Sequence, residues 1–95
     1  MADSIMQAER ECYITGATQG LHRHHIYFGN PLRRLSEENG CWVWLHYLWH
    51  NGSAQGVHGR DGHTLDLKLK QECQERFEQL HGHEEFMRIF GRNYL

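Results

Sequence analysis

Between Gly62 and Gly82 the apolar side chains Leu65, Leu69, Cys73, Phe77 and Leu80 recur at intervals of three and four residues. Only an α-helix brings that spacing onto one face, so a long helix must lie here and pack that face against the rest of the chain. Thr64 is placed to cap its start and Gly82 to follow its end. Lys68, Lys70, Glu72, Glu75, Arg76 and Glu78 cover the other side, where solvation is a sufficient explanation for them. "HEEFMRIFG" reads as a second, shorter helix that buries Phe86, Ile89 and Phe90, stops at Gly91, and is followed by Tyr94 and Leu95 packing back on the body.

The first half has a different grain. "CYITGATQGLHRHHIYFG" alternates β-favouring runs with the glycine turn "TGATQG", which predicts a hairpin whose second strand carries residues 21–26. "NPLRRLSEENG" has proline near its start and glycine at its end, the punctuation of a helix of about two turns. "CWVWL", residues 41–45, is aromatic and β-branched and predicts a short buried strand. "HYLWHNGSAQGVH" starts either a helix or an irregular turn, since Gly52 and Gly56 oppose a long regular element. Strands ahead and helices behind define an α+β class, and 95 residues suit one domain.

Charge is spread unevenly. Residues 1–60 hold five acidic and five basic side chains, residues 61–95 seven and five, which together make the net charge of −2. That balance lacks the basic excess that announces a nucleic-acid binder by itself. The histidine-rich half is the less acidic one, and it turns cationic if its imidazoles are protonated or hold a divalent ion. Cys12, Cys41 and Cys73 form an odd set without a CxxC, which suits reduced thiols or a metal ligand better than a disulfide framework. "MADSIMQAERE" has no basic region followed by an apolar run, so neither a signal peptide nor a membrane span is read, and the expected location is the cytoplasm.

Histidine carries the functional signal. Six of the nine, His22, His24, His25, His46, His50 and His58, fall within residues 22–58. Metal-assisted acid–base chemistry needs a group that holds a cation and a group that takes up a proton. Imidazole serves both needs: it accepts a proton near neutral pH, and its neutral form binds Zn²⁺, Ni²⁺, Co²⁺ or Mn²⁺. Successive side chains of a strand project to opposite faces, so His24 and His25 divide naturally between binding an ion and accepting a proton.

"LHRHHI", "WLHYLWHN", "GVH" and the ending "EEFMRIFGRNYL", taken in this order, resemble the small HNH endonuclease-like proteins of bacteriophages and their bacterial hosts, over roughly residues 11–95. The resemblance implies a ββα-metal, or His-Me finger, core over residues 11–60. An N-terminal extension, residues 1–10, precedes it and the C-terminal helices, residues 61–95, follow. It implies a metal-dependent DNA endonuclease holding one divalent ion, Mg²⁺, Mn²⁺, Ni²⁺ or Zn²⁺. His25 matches the general base and His24 the neighbouring metal ligand. His50 and His58 match further ligands, and Asn51 is the candidate orienting residue.

The chain also departs from that family. Many relatives hold a structural zinc on two ligand pairs, whereas here Cys12 is followed by Thr15 where a second cysteine is expected, His46 takes a cysteine position and Trp49 a ligand position. Cys12 and His46 supply two of the four ligands a closed zinc site needs, with His22 or Cys41 to complete it, and the expectation is that no full site forms. Trp42, Trp44 and Trp49 would then stabilise the region by packing. Cys41 falls where the family carries its middle asparagine.

Two functions therefore stand side by side. One is a phage-associated endonuclease or nickase acting on DNA, with Arg23, Arg33, Arg34 and Arg60 as candidate phosphate contacts, working as a homodimer or with the phage packaging machinery. The other is an HNH-like protein that has left catalysis and inhibits a host defence nuclease, in the manner of an anti-CRISPR protein, using its acidic second half.

Overall fold

A computed structural model describes residues 2–95. Its elements are β1 (Leu21–His25), α1 (Leu32–Glu38), β2 (Trp42–His46), α2 (Tyr47–His50), α3 (His63–His81) and α4 (His83–Phe90). The fold is α+β, with one two-stranded antiparallel sheet in which Leu21 pairs with His46 and His25 with Trp42.

That pairing corrects the expected hairpin within residues 11–26. The "CYITG" stretch is a tight turn, closed by Gly16 N–H to Cys12 O and Cys12 N–H to Ala17 O, both 2.8 Å. Gly16 and Gly20, at φ +78° and +66°, curl the chain too sharply for a ladder. β1 instead pairs with the stronger strand former "WVWLH", where aromatic and β-branched side chains give better cross-strand contacts. The outer edge of β2 is covered by residues 2–13: Ser4 Oγ donates to Trp42 O at 2.6 Å, Gln7 Oε1 accepts from Trp44 N at 2.7 Å, and Tyr13 N donates to Trp44 O at 2.8 Å. An otherwise open strand edge is thereby satisfied.

Alternation along the sheet divides its side chains between two faces. His24 lies across from Val43 and His22 from Leu45, so these four share a face, and Val43, Leu45 and His24 are buried in the core. Arg23 and His25 share the other face, opposite Trp44 and Trp42, and the Arg23 guanidinium lies 3.9 Å over the Trp42 ring.

α3 and α4 close the core with Leu69, Cys73, Phe77, Phe86 and Phe90 against Ile26, Tyr27 and Cys41. Three expectations need correction here. α3 is capped at Gly62 rather than Thr64, because the loop before it delivers the chain two residues earlier. Leu80 is 57% exposed although it continues the apolar spacing, since periodicity defines a face but not how far along the helix the body extends. Leu95 is exposed, while Tyr94 is half-buried and is docked by Gln71 Nε2 to Tyr94 O at 2.9 Å and Tyr94 N to the buried Gln74 Oε1 at 2.8 Å. Among the described residues no helix is long and apolar enough to cross a membrane.

Candidate metal centre

Three histidines from three different segments converge under the sheet. β1 aims His24 inward. α2, whose first turn is capped by His46 Nδ1 accepting from Leu48 N at 3.3 Å, ends on His50. The loop that follows folds back on α2 through Val57 N to Trp49 O at 2.8 Å and His58 N to His50 O at 2.9 Å, which sets His58 beside His50. Buried Val57 anchors this loop. Its far end requires glycine at position 62, where a Cβ would stand 1.9 Å from Gly56 O.

One nitrogen from each of His24, His50 and His58 lies within 4.8 Å of the others, close enough to hold a metal ion. Ring centroids are 5.2 Å apart for His24 and His50, 5.1 Å for His24 and His58, and 4.8 Å for His50 and His58. His24 is 1% exposed, and neither of its ring nitrogens has a hydrogen-bond partner. Leaving one buried polar group unmade costs about 1–3 kcal/mol, so this ring is placed for something other than packing. Burial, reinforced by its neighbours His50 and His58, pushes the His24 pKa down to about 3. Burial and the nearby His58 and His22 push His50 down to about 4. His58, exposed at the rim of the cluster, is lowered by partial desolvation, against the pull of Asp66. Depressed values keep the three rings neutral at pH 7 with lone pairs free for coordination. Three neutral imidazoles fit Zn²⁺, Ni²⁺, Co²⁺ or Mn²⁺ and leave a tetrahedral ion one position for water or substrate.

The cluster opens on a cavity of about 260 Å³ whose wall includes His25, Phe28, Arg33 and Asn51. His25 sits on the opposite face of β1 from His24, with its Nε2 3.0 Å from Glu37 Oε1. Arg23 holds the other oxygen of the same carboxylate at 2.8 Å. Burial raises the Glu37 pKa, but the hydrogen bonds from His25 and Arg23 outweigh it and hold the carboxyl below its ordinary range. A second, larger cavity, about 770 Å³, runs from His25 along α1 and is also bordered by Arg33.

The remaining sequence candidates separate. Arg34 pairs with Glu38 at 2.8 Å and Arg60 with Asp61 at 3.5 Å, whereas Arg33 has no acidic partner among the described residues. Asn51 lines the smaller cavity and caps α2 through its backbone N–H to Tyr47 O. Cys12 and His46 belong to no group of three ligands among the described residues. Burial alone would raise the Cys12 thiol, but hydrogen bonds from the backbone N–H of His46 and from Thr15 and Ile14 outweigh it and hold the thiol below its ordinary value. Of its suggested partners, Cys41 lies against Cys73, and His22 turns to His50 with the two Nδ1 atoms 3.1 Å apart. Trp49 packs half-buried against the core.

Glu37 is the site residue that sequence reasoning missed. In "RRLSEE" it looks like one more charge on a solvated helix, and no spacing in the chain ties it to His25. Compared with protein-family models, curated proteins and solved structures, the chain matches none.

Proposed function

We propose that this chain is a metal-dependent DNA endonuclease or nickase of the HNH type, with β1, β2 and α2 as the ββα-metal core that clasps the ion. One observation carries the proposal: His24, His50 and His58 meet around a space fit for a cation, and His24 does so with both nitrogens buried and unpartnered. The adjacent His25 stays off that cluster and borders the same cavity, as a proton acceptor beside an ion requires.

The bound cation would supply charge stabilisation at the scissile phosphate and the leaving oxygen. His25 takes a proton from water as the water oxygen bonds to phosphorus and the bond from phosphorus to the leaving oxygen breaks. Arg33, bordering both cavities without an acidic partner among the described residues, binds a phosphate oxygen of the strand. The alternative, an inhibitor of a host defence nuclease, leans on the acidic second half. There Asp66, Glu72 and Glu85 stand in ion pairs with Lys70, Lys68 and Arg88, and Glu78 is hydrogen-bonded to His83, which weakens any imitation of DNA.

Supercoiled plasmid incubated with the protein and Mg²⁺, Mn²⁺, Ni²⁺ or Zn²⁺ should be nicked. His25→Ala should slow nicking by about 10²–10⁴-fold, the usual worth of a general base, with metal content unchanged. A wild-type protein inert with all four ions would defeat the proposal.

A further inference from the structure

We propose that Glu37 is the positioning residue of His25: from α1 its carboxylate reaches the imidazole on β1 and sets its tautomer and orientation. The inference rests on the nuclease reading for its catalytic meaning, while the geometry stands apart from it.

The tautomer follows from elementary chemistry. An ionised carboxylate only accepts hydrogen bonds, and Glu37 is kept ionised by the two partners described above. The 3.0 Å contact therefore has His25 Nε2–H donating to Glu37 Oε1. In the neutral ring Nδ1 is then bare, and it is the atom able to take a proton from water. A carboxylate that fixes the tautomer and orientation of a hydrolase-triad histidine works by the same logic.

Glu37 is itself well held. Arg23 Nη1 contacts both carboxylate oxygens, at 3.0 and 2.8 Å, and is stacked on Trp42. Ser36, its neighbour, is fully buried and joined to Tyr27 through Oγ to Tyr27 O at 2.7 Å and Tyr27 N to Oγ at 3.1 Å, which fixes α1 against the end of β1. A Trp42, Arg23, Glu37, His25 series thus runs across the outer face of the sheet to the cavity. Family resemblance pointed to Asn51 for this orienting role, but the partner that touches the His25 ring is Glu37.

Two readouts test this on the full chain. In ¹⁵N-histidine-labelled protein, the His25 Nε2–H proton should give a resonance protected from solvent exchange, lost in Glu37→Ala and retained in Glu37→Gln, whose amide oxygen accepts the same bond. In plasmid nicking, Glu37→Ala should lower kcat by about 10²-fold with KM near wild type, and Glu37→Gln should recover part of it, leaving a fall of about tenfold. Calorimetry should find metal affinity unchanged in both. An Nε2–H signal indifferent to Glu37→Ala, or an unaltered kcat, overturns the proposal. If Glu37→Ala fails to fold, the partial fall and retained resonance of Glu37→Gln decide it. If wild type cuts nothing, the nuclease reading falls alone, and the resonance still decides whether Glu37 sets the ring.

Discussion

The two histidine-bearing corners of the sheet are built from similar residues and reach opposite ends. At one, His24 is buried with both ring nitrogens unpartnered, beside His50 and His58. At the other, the Cys12 thiol receives the backbone N–H of His46 and bonds from Thr15, and His46 Nδ1 is spent on Leu48 N. The first corner is unsatisfied and geometrically convergent; the second has closed on itself. Unmet hydrogen-bonding capacity in a core carries a cost that a bound ligand would offset. A satisfied thiol carries no such cost, even where a family resemblance would place a metal.

The widest separation between the corners should come from substitutions that remove one key atom from each. His24→Leu should abolish tight ion binding, a larger loss than the roughly 10–100-fold expected from removing a supporting partner, as read by calorimetry. Without metal the same variant should be more stable than wild type by about 1–3 kcal/mol in thermal melts, since two unsatisfied nitrogens are gone. Cys12→Ala should do the reverse: stability falls by about 1–3 kcal/mol because backbone N–H groups lose their acceptor, and the protein still binds a single ion. Equal loss of ion by the two variants would erase the distinction.

Acid should then divide them further. His24 and His50 have pKa values near 3 and 4 when folded, against about 6.5 unfolded. The unfolded chain therefore binds protons first, so metal-free stability is full above about pH 6.5 and drains away as pH falls through 4 towards 3. The cumulative loss is on the order of a few kcal/mol. Denaturant titrations from pH 7 to 4 should show it, His24→Leu should flatten the slope, and Cys12→Ala should leave it intact.

The smallest effect concerns the rim of the convergent corner. Arg33→Ala should weaken DNA binding for all sequences alike and reduce the salt slope by about one, whereas Arg34→Ala, which removes a guanidinium already paired with Glu38, should change it less. Fluorescence anisotropy at several salt concentrations measures both. Equal slopes would place the strand elsewhere.

Much of this was legible in the chain. The apolar spacing of residues 65–77 located α3, "HEEFMRIFG" located α4, and "CWVWL" located β2, because each rests on short-range periodicity that neighbouring residues enforce. The histidines of the candidate metal centre were likewise visible as residue types. The partner of β1 was not, since strand pairing is a contest among distant segments, and "CYIT" lost it to "WVWLH". Leu80 departed from its expected environment for a related reason: a helix face is a local property, whereas what packs against each turn of it is not. Glu37 was hidden because an acidic residue on a short helix becomes a partner for His25 only when α1 folds down beside the end of β1.

By itself the sequence determined which elements form, which faces they bury and which side chains are chemically able to hold a cation or accept a proton. Tertiary structure alone decided that His24, His50 and His58 share one space, that Cys12 and His46 join no third ligand among the described residues, and that His25 is held by Glu37. The physical reason is range: propensity and periodicity act over a few residues, whereas coordination and charge pairing depend on distances of a few ångströms between atoms far apart in the chain.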